Sequence, residues 1–231
     1  MRKILAIAPV TADEAEIKTL ALSLQFLEEQ YQIDFLDPLS DGFGERKEVY
    51  FQIWQQKLNH YQKNYDAFIG FSLGGVILQQ SLALFKDLHK PLFLFSAPSF
   101  ADETLKYKLN EVISLCAEKR IEKALKALYS KVFINEIPAA CLSVKNEEHA
   151  TKRLMFGLKL VAETDSRRLL QAYPNNYWVF IGQLSQLVNQ ANVELNLPSL
   201  IVVPNAGMRV LQDNPSYCQA IILDKLNETI N

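Results

Sequence analysis

The sequence predicts an α/β protein: a doubly wound, mostly parallel six-stranded sheet, with helices on both faces and a helical insert. Three observations carry that prediction. Apolar runs of five to seven residues alternate with longer segments of helical periodicity. Most of these runs are apolar throughout rather than at every second residue, as expected of strands covered on both faces. One stretch, from about Phe100 to Thr164, breaks the alternation and reads mostly as helix with no convincing strand inside it.

The elements follow in order. Ile4-Leu5-Ala6-Ile7-Ala8 is the first strand, stopped by Pro9, which has no amide hydrogen for a ladder. Thr11-Ala12-Asp13-Glu14 fits a capping box, so a helix is expected from there through Ile17, Leu20, Leu22 and Leu24 to about Glu29. Tyr31 to Asp37 alternates as a strand and ends at Pro38; the Gly42-Phe43-Gly44 turn and a helix from about Glu45 to Tyr61 come next. Asp66 to Ser72 is a third strand that runs straight into a helix through Leu73-Gly74-Gly75 to about Phe85. Pro91 to Ser96 is the fourth. After the helical stretch the alternation resumes with a strand from Tyr177 to Ile181, a helix around Leu187 to Leu195, and a strand from Ser199 to Val203. A last helix begins near Asn214-Pro215, with proline at its first position. Strands separated by helices imply right-handed crossovers and parallel pairing. The expected division is a core of residues 1–99 and 165–231 with residues 100–164 inserted as helical lid.

Bulk properties narrow the function. A chain of 231 residues suits one domain, or one domain carrying an insert. Lys+Arg 24 against Asp+Glu 26 leaves a formal charge of −2, which excludes the broad basic footprint of a nucleic-acid binder. Cys116, Cys141 and Cys218 are far apart with no CxxC pair, and read as reduced thiols of a cytosolic protein. The apolar start is too short for a signal-peptide core or a membrane span, so a cytoplasmic protein without membrane contact is expected. Scattered histidines give no metal-ligand spacing, and the Gly70–Gly75 segment lacks the Lys-Ser/Thr of a phosphate loop. No metal and no cofactor are expected.

One motif carries chemistry. Gly70-Phe71-Ser72-Leu73-Gly74 fits G-x-S-x-G at a strand-to-helix junction. A serine there is forced into a sharp turn, while glycines on either side let backbone approach without Cβ clashes. The turn lifts the hydroxyl out of the sheet, and the helix N-terminus behind it favours developing negative charge. Ser72 is the candidate nucleophile, and the N–H of Leu73 the candidate half of an oxyanion hole.

Several stretches together resemble the α/β-hydrolase superfamily over nearly the whole chain. Asp37 to Gly44 resembles its D-x-x-G-x-G turn, Gly70 to Gly75 its G-x-S-x-G-G elbow, and Ser96-Ala97-Pro98 the exit where a helical lid is inserted. Val179-Phe180-Ile181-Gly182 resembles the strand before the acid loop, and Ala206-Gly207-Met208 with Asn214-Pro215 the stretch that carries the family histidine. The resemblance implies a short member like the small carboxylesterases and thioesterases, acting on a small-molecule or carrier-bound acyl substrate.

The departures fall on the catalytic positions. Where the resemblance places the acid stands Ser185, and where it places the histidine stands Met208. The first strand ends in Ala8-Pro9 instead of His-Gly, and Pro9 has no N–H for the second oxyanion donor. Only His60, His89 and His149 exist, all before the usual histidine position. Three residues are candidate substitutes, each with a plainer reading. Asp102 could replace the acid or cap a helix, and Asp165 could do so or pair with Arg167 and Arg168. His149 could swing toward Ser72 or simply face solvent. His60 and His89 fall at helix ends on the opposite edge of the sheet and are read as structural. Without a base a serine hydroxyl is a poor nucleophile. The expectation is a hydrolase with weak or lost activity, or else a non-catalytic relative that binds a ligand or a protein. From Glu103 to Lys131 seven Lys/Arg face four Glu, which suits an acidic partner such as an acyl-carrier protein and equally an ordinary solvated helix.

Overall fold

Alternate side chains along each strand enter different layers of the protein, and two cores result. In the computed structural model, which describes residues 1–173, 176–193 and 199–230, six strands form one sheet. They are β1 (Arg2–Ile7), β2 (Tyr31–Leu36), β3 (Ala67–Phe71), β4 (Leu92–Phe95), β5 (Tyr177–Gly182) and β6 (Leu200–Val203). The spatial order is β2-β1-β3-β4-β5-β6, and every pair is parallel. β3 and β4 are buried at every position, whereas the edge strand β2 is mostly half-exposed, as two-sided and one-sided cover demand.

Nine helices surround the sheet among the described residues: α1 (Glu16–Leu22), α2 (Lys47–Tyr61), α3 (Leu73–Gln80), α4 (Glu103–Ala117), α5 (Ile121–Val132), α6 (Glu147–Ala162), α7 (Arg167–Ala172), α8 (Val210–Asp213) and α9 (Pro215–Ile230). Leu5, Ile7, Phe68, Leu94, Val179 and Ile181 point to one face and pack with α2 to α7. Ile4, Ala6, Ile69, Phe93, Phe95 and Phe180 point to the other and meet Leu24, Leu27 and the helices α8 and α9. On that second face aromatic rings stack across strands, Phe71 on Phe95 at 5.1 Å and Phe93 on Trp178 at 5.4 Å between centroids. Helices α4, α5 and α6 all lie between β4 and β5, in the stretch whose sequence predicts no strand.

Three expectations need correction. The first helix starts at Glu16, not at Thr11: Asp13 accepts from the Ala15 amide while Glu16 accepts from the Asp13 amide. Thr11 is unavailable as a cap because its hydroxyl and carbonyl both serve Arg153. The same helix ends at Leu22 instead of near Glu29, because the Ser23 amide and hydroxyl both turn back to the Leu20 carbonyl and tighten the chain into a 3₁₀ turn at Gln25–Leu27. The helix expected around Leu187 to Leu195 is only a 3₁₀ turn, Gln190–Asn192; Leu195 itself lies outside the described residues. Its N-terminal part is spent on the neighbouring loop, with the Leu184 amide on Ala206 O and the Val188 amide on Met208 Sδ.

The exit of β2 is held by α2. Tyr50 Oη and Trp54 Nε1 both donate to the carbonyl of Pro38, at 2.8 and 3.1 Å, from fully buried rings. Burial, reinforced by Asp37 and Asp41, pushes the Tyr50 phenol well above its usual range, which favours the protonated, donating form. Urea unfolding should rank the two side chains: Trp54→Ala is expected to cost about 3–5 kcal/mol through its cavity, and Tyr50→Phe about 1 kcal/mol for one hydrogen bond.

Candidate functional site

The site is built where β3 turns into α3. Ser72 has φ 48° and ψ −112°, a conformation that side chains rarely adopt. Its amide donates to Phe95 O at 2.9 Å and its carbonyl accepts from Val76, so the turn is pinned to β4 and to the helix it starts. Sterics leave no choice of neighbours: a Cβ on Gly74 would sit 2.2 Å from Ile7 O, and one on Gly70 2.6 Å from the Cα of Gly75. Ser72 is half-buried, and no described residue hydrogen-bonds to its Oγ.

Two backbone amides of the adjoining segments are without a partner among the described residues. Leu73 is the first residue of α3, and its N–H has no partner within the helix. Gly74 brings the end of β1 against the start of α3. Pro9 donates nothing there, and the Ala8 amide is committed to Leu36 O. The next amide, that of Val10, makes no hydrogen bond among the described residues. The sequence comparison of Ala8-Pro9 with His-Gly misses Val10, because the residue type says nothing; only its place after the proline does.

Ser185 and Met208 lie together, on loops after β5 and β6 that touch at Gly182, where a Cβ would come 2.0 Å from Gly207 O. The Ser185 amide turns back to Gly182 O, and its Oγ is buried without a partner among the described residues. Met208 is fully engaged. Its Sδ accepts from the Val188 amide at 3.3 Å and its carbonyl from Ser96 Oγ at 2.7 Å. Ser96 also has φ 48°, and it follows Phe95, the residue paired with Phe71. The Met208 loop is thus anchored one strand away from Ser72.

The candidate substitutes are occupied elsewhere or exposed. Asp102 caps α4, accepting from the Leu105 amide at 2.7 Å. Asp165 accepts from Arg167 Nε and Nη2 at 3.0 and 2.7 Å, and that guanidinium holds its carboxyl below the usual range. His149 is exposed in the first turn of α6, and no described residue bonds its imidazole. His60 ends α2 and His89 precedes β4, both at the edge of the sheet opposite Ser72.

Arg153 is the residue that sequence reasoning does not single out. It projects from α6, is 2% exposed, and binds Asp37 and Thr11, partners 116 and 142 residues away. No local pattern announces such a pairing. The stretch between β4 and β5 also touches the other rim: just past α5, Arg209 stacks on Phe133 at 4.4 Å and Ile134 meets Gly207, while Lys108 Nζ of α4 donates to Gln186 O. On the near rim Tyr129 Oη donates to Glu16 at 2.8 Å. Residues 103–162 therefore contact segments that leave β1, β2, β5 and β6. Among the described residues no group of His, Cys, Asp or Glu is placed to hold a metal ion, and no helix is long and apolar enough to cross a membrane.

No protein-family model matches the chain, and no curated protein sequence does. Solved structures match it along its length. An esterase from Exiguobacterium antarcticum superposes with TM-score 0.72 at 17% identity, covering 98% of this chain and 92% of that one. The 2-hydroxy-6-oxo-6-phenylhexa-2,4-dienoate hydrolase of Rhodococcus sp. strain RHA1 gives 0.72 at 12% identity, covering 98% and 90%. MenH from S. aureus gives 0.68 at 15% identity, covering 99% and 95%. The chain has the α/β-hydrolase fold.

Asp213 offers a pH test of the loop geometry. It accepts from the Gly207 amide at 2.8 Å, and burial raises its carboxyl above the usual range despite that bond and Arg209. A raised carboxyl favours the protonated folded form, so this group stabilises the fold at low pH and the benefit is lost as pH rises through its folded pKa. Asp213→Asn keeps an acceptor for Gly207 and removes the charge. Thermal unfolding should show the variant gaining on the wild type from pH 4 to pH 7; a gap that is flat or shrinks would contradict the burial.

Proposed function

We propose that this is a serine-hydrolase protein whose site takes an ester or thioester of a small or carrier-bound acyl group, with hydrolysis slow or lost because Ser72 has no base. The observation that carries this reading is the state of Met208. At the place the resemblance assigns to histidine stands a thioether, its sulfur on the Val188 amide and its carbonyl on Ser96. The buried, unpartnered Ser185 hydroxyl at the corresponding acid place supports it as well. Around Ser72 the strained turn persists, with free amides at Leu73 and Val10 suited to an oxyanion. Such a site polarises a bound carbonyl but supplies no group to take the serine proton. The esterase and hydrolase functions in the names of its structural neighbours agree with the acyl class.

A second reading, a non-catalytic relative that retains a ligand in the same site, draws on the same exchange of acid, histidine and first-strand exit. In either reading α4 to α6 act as the lid, the protein works in the cytoplasm without nucleic acid or cofactor, and the basic helices of the lid are where an acyl-carrier protein would dock.

Turnover decides. Wild type should hydrolyse a short p-nitrophenyl ester hardly faster than Ser72→Ala, and should label slowly with a fluorophosphonate. Ser185→Asp combined with Met208→His should raise the rate at least about tenfold, since an oriented base contributes about 10²–10⁴-fold. Each single change should do far less, because such residues act as a unit. Brisk wild-type turnover abolished by Ser72→Ala would instead reveal a base elsewhere, with His149→Ala the next measurement.

A further inference from the structure

Buried charge is costly unless fully paired, and Arg153 is fully paired by the protein itself. Its Nη1 and Nη2 donate to the two oxygens of Asp37 at 2.8 and 3.0 Å. Nε donates to Thr11 O at 3.0 Å and Nη2 reaches Thr11 Oγ1 at 3.3 Å, with Glu14 Oε1 3.5 Å from Nη1. Every nitrogen of the guanidinium is committed, so in this arrangement Arg153 has no face left to recognise a substrate carboxylate. Its bonds run instead from α6 to the two segments that leave β1 and β2. One turn further along α6, Gly157 seats on the side chain of Val10, where a Cβ would come within 2.6 Å. The helix and the Val10 segment are in full contact.

We infer that Arg153 is the positioning residue of the site. It clamps α6 to the segment that carries the free amide of Val10, two residues past the Ala8 carbonyl that packs on Gly74, and holds α4 to α6 closed across the strand ends. The internal carboxylate of Asp37, rather than a substrate, sets the closed position. This deepens the reading of Ser72 given above, but its consequence is access and not turnover, so either can fail alone.

Access is measured with a thiol in place of the hydroxyl. Ser72→Cys is made together with Cys141→Ala, because the other cysteines, Cys116 and Cys218, are buried. Arg153→Met with Asp37→Asn then removes both charges, and the asparagine still accepts from the Leu39 amide as Asp37 does. With folding verified by thermal melt, labelling of the introduced thiol by fluorescein maleimide should rise at least about tenfold, the effect of weakening closure by about 1.4 kcal/mol. Labelling by the small methyl methanethiosulfonate should change much less, a size dependence that a general loss of stability does not produce. Unchanged labelling by the bulky reagent in the folded double variant overturns the clamp. If that variant does not fold, Arg153→Lys decides: it keeps the charge but reaches one partner at a time, and an unchanged bulky-reagent rate there overturns the clamp equally.

Discussion

The constraint on which the rest of the molecule depends is the approach of three backbone segments at the start of α3. Gly70 lies on Gly75, Gly74 on the carbonyls of Ile7 and Ala8, and Gly75 on the Cβ of Ala97, all at separations that leave no space for a side chain. Those contacts bring β1, β3 and the exit of β4 together in the middle of the sheet. They also fix where the Ser72 hydroxyl stands. Ser72 pays for this with a backbone conformation that serine rarely adopts, and its amide is pinned to Phe95 in return. The remaining site follows from the same geometry, since loops leaving adjacent parallel strands at one edge have to meet there.

What meets there is polar. Ser96, Ser185 and Met208 occupy one rim, Thr11, Asp37 and Arg153 the other. On the first rim the hydrogen bonds end on backbone carbonyls and a thioether; on the second a carboxylate and a guanidinium neutralise each other. Neither rim presents an imidazole to Ser72. Among the groups that remain free are the amides of Leu73 and Val10, and an amide stabilises negative charge on a carbonyl oxygen without moving a proton.

Legibility in the sequence tracks the range of the interactions. The buried strands announce themselves because cover on both faces demands unbroken apolar runs, and the Ser72 turn because its three glycines lie within six residues of one another. The cap of α1 is misread since Thr11, an ideal cap by its neighbours, is claimed by a residue far along the chain. The segment after Gly182 looks helical by its leucines, yet Leu184 and Val188 are bound to the loop of Met208. Arg153 is invisible for the same reason: nothing within its helix marks it off from the exposed Lys152 beside it.

The span of that pairing has a further consequence, in the order of assembly. During synthesis β1, β2 and β3 with their helices emerge long before residue 153, and Thr11 and Asp37 then have no partner. Closing a loop of this length is slow and is rewarded only when both ends are structured. The parallel sheet is therefore half built while its carboxyl edge is still open and an aspartate and a threonine wait in solvent. The contacts that tie α6 to the segments leaving β1 and β2 form only after α6 has been made.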